Sequence, residues 1–270
     1  MRPNRFDSLA ADYEDHAVVA AEAGRRLLER LDGLRFVPNR ILDMGCATGQ
    51  TCRALHGRFG QARILGLDRS AAMLGQARRR RGFWRPRFDL LQADLEALPL
   101  ADASIDMVYA NLSLNWSSDP QRALIGLRRV LRPGGLVLLS LLGPDTLRKT
   151  GFGPDLSLRL LPDVQQLAAM LIGAGFSEPV LDTDWLTATY SSGASLVNEL
   201  RGNGLLDPHG DRADVRSASN ANPPAPGPVA VEWEIVSASA WAPEPGQPIR
   251  GAFGEEVSIP VSRIGVRRRS

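Results

Sequence analysis

Two rhythms of apolar residues alternate along most of this chain. Short runs such as Ile41-Leu42, Ile64-Leu65-Gly66-Leu67 and Leu136-Val137-Leu138-Leu139 are almost continuously apolar, the pattern of strands buried on both faces. They predict strands over 40–44, 63–68, 88–93, 105–111 and 136–142. Between them apolar residues recur at three- and four-residue intervals among charges, predicting helices over 50–58, 70–80, 118–131 and 163–174. Leu27, Leu28 and Leu31 carry the same helical spacing within 6–33. Pro133-Gly134-Gly135 is expected to stop the fourth of these helices and turn the chain into the fifth strand. Strands separated by helices imply a mainly parallel sheet covered on both faces.

The order changes after about residue 143. Ala174-Gly175-Phe176 closes a helix, 179–190 alternates as a strand does, 195–201 suits a short helix, and 231–241 reads as one long strand. The last two strands are joined without a full crossover. They are expected to add an antiparallel edge, which brings the sheet to seven strands. Residues 217–228, rich in Ser, Asn, Ala and Pro, read as a linker or loose loop.

Composition narrows the class without naming a chemistry. A chain of 270 residues, 44% hydrophobic and 23% charged, suits one large α/β domain with an insertion or appendage. Its apolar runs are too short to span a bilayer, and Met1-Arg2-Pro3-Asn4-Arg5 does not begin a secretion signal, so a cytoplasmic setting without membrane contact is expected. Cys46 falls in a loop and Cys52 in the following helix, which suggests neither a disulfide framework nor a metal site. The net charge of +2 conceals a cluster, Arg78-Arg79-Arg80-Arg81 with Arg85 and Arg87, and a tail of Arg267-Arg268-Arg269. These are either a solvated helix end and tail or a docking surface for an acidic partner. Few aromatics interleave with them, so nucleic acid is the weaker option.

The candidate chemistry lies where the first strand ends. Asp43-Met44-Gly45-Cys46-Ala47-Thr48-Gly49 places an acid before small residues spaced G-x-A-x-G and ahead of a helix. This differs from the G-x-G-x-x-G dinucleotide turn and from the P-loop. An acid two residues before the first glycine suits a ligand carrying an ammonium group, as S-adenosylmethionine does; alternatively Asp43 caps its own turn. Gly45 and Gly49 are expected to admit a ligand where a Cβ would collide. Ala47 occupies the middle small position, where its methyl narrows the cradle and costs little if φ is negative. Asp68, ending the second strand, is placed to grip ribose hydroxyls or to serve as a helix N-terminal acid before Ser70. Asp94 after the third strand can accept from an adenine amino group. Asn111, ending the fourth, faces the same crevice or is an ordinary turn residue. Arg69, Met73 and Leu95 complete the cofactor candidates, with Leu98 a possible flank of the adenine.

These motifs, with Val130-Leu131-Arg132-Pro133-Gly134-Gly135, resemble the class I S-adenosylmethionine-dependent methyltransferases and their Rossmann-like fold. More narrowly, Phe6-Asp7-Ser8-Leu9, Asn111-Leu112-Ser113-Leu114-Asn115-Trp116, Gly143-Pro144-Asp145-Thr146-Leu147 and Ala240-Trp241-Ala242-Pro243 are similar to the malonyl-acyl-carrier-protein O-methyltransferases of biotin synthesis. The resemblance implies methyl transfer from S-adenosylmethionine, without a metal, to the free carboxylate of a malonyl thioester on a carrier protein or coenzyme A. It implies a helical lid over 1–35, a cofactor-binding core over 36–145, and a substrate-covering part with the last strands over 146–270. Tyr13 is the implied shield of the methyl group or partner of the carboxylate, with helix packing as its plain alternative. Arg159 is implied as the carboxylate anchor, with Phe6 in the lid and Trp116 and Tyr190 as walls. The Gly202-Asn203-Gly204 turn departs from the family pattern, and 148–158 and 207–228 look shortened. Those departures leave room for another small acceptor, such as a quinone or natural-product precursor, or for a catalytically silent cofactor-binding assembly factor.

Overall fold

The computed structural model describes residues 4–82, 86–148, 163–206, 227–244, 246, 249–251 and 254–256. Seven strands share one sheet: β1 (Arg40–Met44), β2 (Arg63–Asp68), β3 (Asp89–Gln92), β4 (Ile105–Asn111), β5 (Leu131–Leu142), β6 (Ser177–Tyr190) and β7 (Val229–Trp241). Their order is β3-β2-β1-β4-β5-β7-β6. Strands β1 to β5 run parallel, and β7 lies antiparallel to both β5 and β6. The reversed strand is thus next to last, and β6 forms the outer border. A short pair, β8 (Ile249–Gly251) and β9 (Gly254–Glu256), stands apart.

The helices are α1 (Arg5–Leu9), α2 (Val18–Glu29), α3 (Gln50–Arg58), α4 (Ala71–Arg80), α5 (Pro120–Val130), α6 (Val164–Gly173) and α7 (Gly193–Gly202). Polar caps set several of their starts. Ser70 accepts from Met73 N, Asp119 accepts from Arg122 N ahead of Pro120, and Asp163 with Gln166 closes a capping box. The helical stretch read over 6–33 is broken into α1, a 3-10 turn at Tyr13–His16, and α2. The break lets α1 and the turn lie over a crevice while α2 packs on the sheet. One straight helix could do only one of these.

Adjacent residues of the central strands serve opposite faces, which is why these strands read as unbroken apolar runs. Ile41, Met107 and Leu138 pack with Leu27, Leu55 and Leu74 beneath α2, α3 and α4. Leu42, Val108 and Leu139 pack with Leu124, Leu127 and Leu167 beneath α5 and α6. A third cluster joins Val19 and Ala23 of α2 to Leu186, Leu196, Leu200 and Trp233.

Pro133-Gly134-Gly135 does not separate helix from strand as expected. The strand already begins at Leu131, and the three residues form an irregularity inside it, where pairing steps from Ile105↔Leu131 to Met107↔Leu136. Gly134 takes φ +72°, and a Cβ on Gly135 would lie 2.8 Å from Arg132 O. The glycines permit a bulge with a backbone this close. Among the described residues no helix is long and apolar enough to cross a membrane.

Candidate active site

β1 and β4 are neighbours whose connections lead to opposite sides of the sheet, so a crevice opens past their carboxyl ends. It is the mouth of a cavity of about 1190 Å³. The β1–α3 loop forms its floor, with Gly45 N and Cys46 N donating to Leu67 O at 2.8 and 2.9 Å. Three residues of this loop have positive φ: Gly45 (+75°), Ala47 (+45°) and Gly49 (+80°). The φ at Ala47 is thus positive, so its methyl is not without cost. Its left-handed backbone costs about 1–2 kcal/mol, and Asp68 Oδ2 offsets this by accepting from Ala47 N at 2.9 Å.

The two glycines also answer a packing need that their spacing does not show. A Cβ on Gly45 would lie 2.5 Å from Ser113 Cβ, and one on Gly49 would lie 3.0 Å from Ala77 Cβ and 3.2 Å from Phe88 Cζ. Both seat the loop against neighbouring elements. Gly49 is not on the cavity wall, whereas Gly45 and Ala47 are.

Asp43 is 2% exposed, yet it belongs to the wall. Its one hydrogen bond from a side chain comes from Cys52 Sγ at 3.1 Å. Burial pushes its carboxyl up to about 7, against a smaller opposing effect of that thiol. Such a group has a strong electrostatic demand for a cation. Asp68 is also raised by burial, although Ala47 N and Ser70 N both donate to it. It thus serves the turn before α4 and faces the cavity at once.

The third acid, Asp94, lies on the wall with Leu95 and Arg69, accepts from Glu96 N at 2.9 Å and stands 3.9 Å from Arg69 Nη1. Met73 joins them, but Leu98 lies in the core behind α5. Asn111 reaches the wall with its amide already engaged. Its Nδ2 donates to Ala20 O at 2.8 Å and its Oδ1 accepts from Ser140 Oγ at 2.7 Å, clamping α2 to the sheet. Of the expected acceptor-side walls, Trp116 lines the cavity. Tyr190 does not, and its hydroxyl donates to Glu199 at 3.1 Å. Arg159, Arg85 and Arg267–Arg269 lie outside the described residues.

The amino-terminal segment covers this space. Ser70 Oγ donates to Asp7 at 2.6 Å, Arg80 pairs with Glu14, and Arg5 Nη1 donates to Gly204 O at 2.9 Å. Phe6 meets Trp116 edge-to-face, with ring centroids 4.8 Å apart. Tyr13 lies against the cavity, and burial, then the charge of Asp68, pushes its phenol up to about 12. It is a neutral hydrogen-bond donor at physiological pH and is unsuited to act as a base. Sequence reasoning passed over Asp7, Glu14 and Glu96. Glu96 accepts from Ser117, Ser118 and Asp119, and these bonds, against a burial effect of opposite sign, hold it down to about 2. No local spacing marks such partners, because each is 20 or more residues away or on another element.

Residues 42–139 match the methyltransferase domain family. A malonyl-[acyl-carrier protein] O-methyltransferase of Xylella fastidiosa is 36% identical over 98% of this chain and 95% of its own length. The chain belongs to the malonyl-[acyl-carrier protein] O-methyltransferase family. The family's enzyme from Halorhodospira halophila is likewise 36% identical, over 98% of this chain and 94% of its own. The fold is also that of a phosphoethanolamine N-methyltransferase of Haemonchus contortus, solved with S-adenosylhomocysteine, at TM-score 0.58 and 17% identity over 83% of this chain and 53% of that one. The Gly202-Asn203-Gly204 turn has a structural use. A Cβ on Gly204 would lie 2.9 Å from Phe6 Cε1, and one on Gly202 would overlap the His16 ring. The turn is the seat of the amino-terminal segment.

Proposed function

We propose that this protein transfers a methyl group from S-adenosylmethionine to the free carboxylate of a malonyl group carried on acyl-carrier protein, giving the methyl ester. The observation that carries this reading is the likeness to relatives of that name over 98% of the chain, acceptor side included. Their names speak for the carrier protein, and nothing comparable supports coenzyme A. The two other readings, a quinone or natural-product acceptor and a silent assembly factor, have no such support. We take the reaction to be cytoplasmic.

The donor fits the cavity on physical grounds. Asp43, buried and held near neutrality, would meet the ammonium of the methionine moiety, and Asp68 the ribose. Asp94, Leu95 and Met73 would surround the adenine, with Arg69 at the rim. When bound, S-adenosylmethionine supplies a sulfonium-activated methyl: the acceptor oxygen forms the C–O bond as the C–S bond breaks and its electron pair stays on sulfur. The protein has no proton to remove, because a carboxyl of pKa about 4 is already ionised at neutral pH. What remains for the chain is alignment and exclusion of water, and orientation alone can contribute about 7–11 kcal/mol. We assign those tasks to the lid over 1–35, closed on the core over 36–145, with 146–270 covering the acceptor. Tyr13 would shield the methyl group as a neutral donor. Arg159 is a candidate anchor by resemblance alone.

The test is the intact mass of malonyl-carrier after incubation with protein and methyl-labelled S-adenosylmethionine. A gain of one labelled methyl on malonyl-carrier, absent with acetyl-carrier, is the expected result. An unchanged malonyl-carrier under conditions where the donor binds would refute the reading.

A further inference from the structure

The cavity has a charge problem that its sequence motifs do not solve. Its wall carries the carboxylates of Asp7, Glu14, Asp43, Asp68, Asp94 and Glu96 against the guanidiniums of Arg5 and Arg69. This surplus of negative charge suits a cationic donor and repels an anionic acceptor. Arg69 gives the acceptor little help, being 67% exposed at the rim with Asp94 beside it.

Arg5 is placed differently. It is partly buried, reaches over the Trp116 ring at 5.7 Å, and donates through Nη1 to Gly204 O. Among the described residues no carboxylate pairs with it. A guanidinium has five N–H donors, so most of its fork is uncommitted. Beside Arg5 stand the Trp116 ring and the Gly204 turn, and Leu142, Leu205 and Trp233 add apolar surface to the same cavity, where an ion pair is strengthened and water is excluded. Trp116 follows β4, Leu142 ends β5 and Trp233 lies near the start of the antiparallel β7, whereas Asp43, Asp68 and Asp94 stand at or just past the carboxyl ends of β1, β2 and β3 on the other half of the sheet.

We propose that Arg5 binds the free carboxylate of the acceptor and selects a dicarboxylic half-thioester over a plain acyl group. This rests on the proposed function and deepens it. The guanidinium would hold the oxygen that does not attack. A cation on the attacking oxygen would stabilise the ground state more than the transition state, in which the charge is being neutralised. Because Arg5 lies on α1, the same side chain couples lid closure to the presence of an anionic acceptor. The lid then closes fully only over the right substrate.

The experiment compares binding of malonyl-carrier and acetyl-carrier to the full chain saturated with S-adenosylhomocysteine, for wild type, Arg5→Ala and Arg5→Lys. Loosening of the lid affects both carriers alike, so their ratio isolates recognition of the carboxylate. Wild type should favour malonyl-carrier by about 10- to 100-fold, the range for one charge-assisted hydrogen-bonded contact. Arg5→Ala should bring the ratio near one, and Arg5→Lys should keep part of it. A ratio unchanged in Arg5→Ala overturns the role of Arg5 while leaving the acceptor assignment intact. A wild-type ratio near one overturns both.

Discussion

Asp43 carries a stability cost at neutral pH that a cation bound beside it would offset. Its carboxyl is raised from an ordinary 3.8 to about 7 by burial. The folded state therefore binds this proton more tightly than the unfolded chain. Stability from this group is fullest below pH about 4 and is lost as pH rises towards 7, by up to about 4 kcal/mol. Asp43→Asn should accordingly raise the unfolding midpoint of the ligand-free protein near pH 8 and leave it almost unchanged near pH 4. Thermal unfolding at the two pH values checks this, and an equal effect at both would show that Asp43 is not held near neutrality. The acid was legible in the sequence because a strand-end carboxylate before a glycine turn is a local pattern. Its partner Cys52, nine residues on, was not, since only the folded loop brings the thiol to 3.1 Å. Asn111 was legible only in part, for a similar reason. Its position at a strand end was read correctly, but the α2 carbonyl and Ser140 hydroxyl that engage its amide are 91 and 29 residues away.

At the scale of elements, the β1–α3 loop is held by what surrounds it. Gly45 has φ +75°, and its missing side chain leaves room for Ser113. Gly45→Ala should cost about 1–3 kcal/mol from strain and overpacking together. The companion change Ser113→Gly should recover the packing part and leave the strain. Denaturant unfolding of the single and double variants reads both, and full additivity would show that the Ser113 contact does not matter. The glycine spacing was plain in the sequence, and the close contact it relieves was not, because Ser113 lies on the far side of β4. The Pro133-Gly134-Gly135 segment is a parallel case. Its composition announces a break, yet pairing with β4 and with Ala242 draws it into β5 as a bulge. The amino-terminal segment was legible as helical through Leu27, Leu28 and Leu31. Its division into α1, a turn and α2 follows from long-range bonds to Ser70, Arg80 and Gly204.

The whole molecule divides its labour across the sheet. Asp43, Asp68 and Asp94 line the cavity at or just past the carboxyl ends of β1, β2 and β3, while the carboxyl ends of β4 and β5 and the start of β7 stand beside its apolar wall, where Arg5 reaches over Trp116. The two halves are closed by one amino-terminal segment seated on both. Alternating strands and helices made the parallel core readable from residue 40 to residue 142, and the last two long strands made the antiparallel border readable as well. The acceptor side was less readable because its wall is assembled from α1, the turn after α7 and β7, which share no local motif. The central claim is that this cavity is charged to receive a sulfonium nucleoside bearing an ammonium group. Calorimetric titration of S-adenosylmethionine near pH 6 and near pH 8, with wild type and Asp43→Asn, tests it most directly. Saturable one-site binding is expected, tighter at the higher pH, as Asp43 ionises, and much weaker in the variant at both. Absence of binding, or equal affinity in wild type and Asp43→Asn, would contradict it.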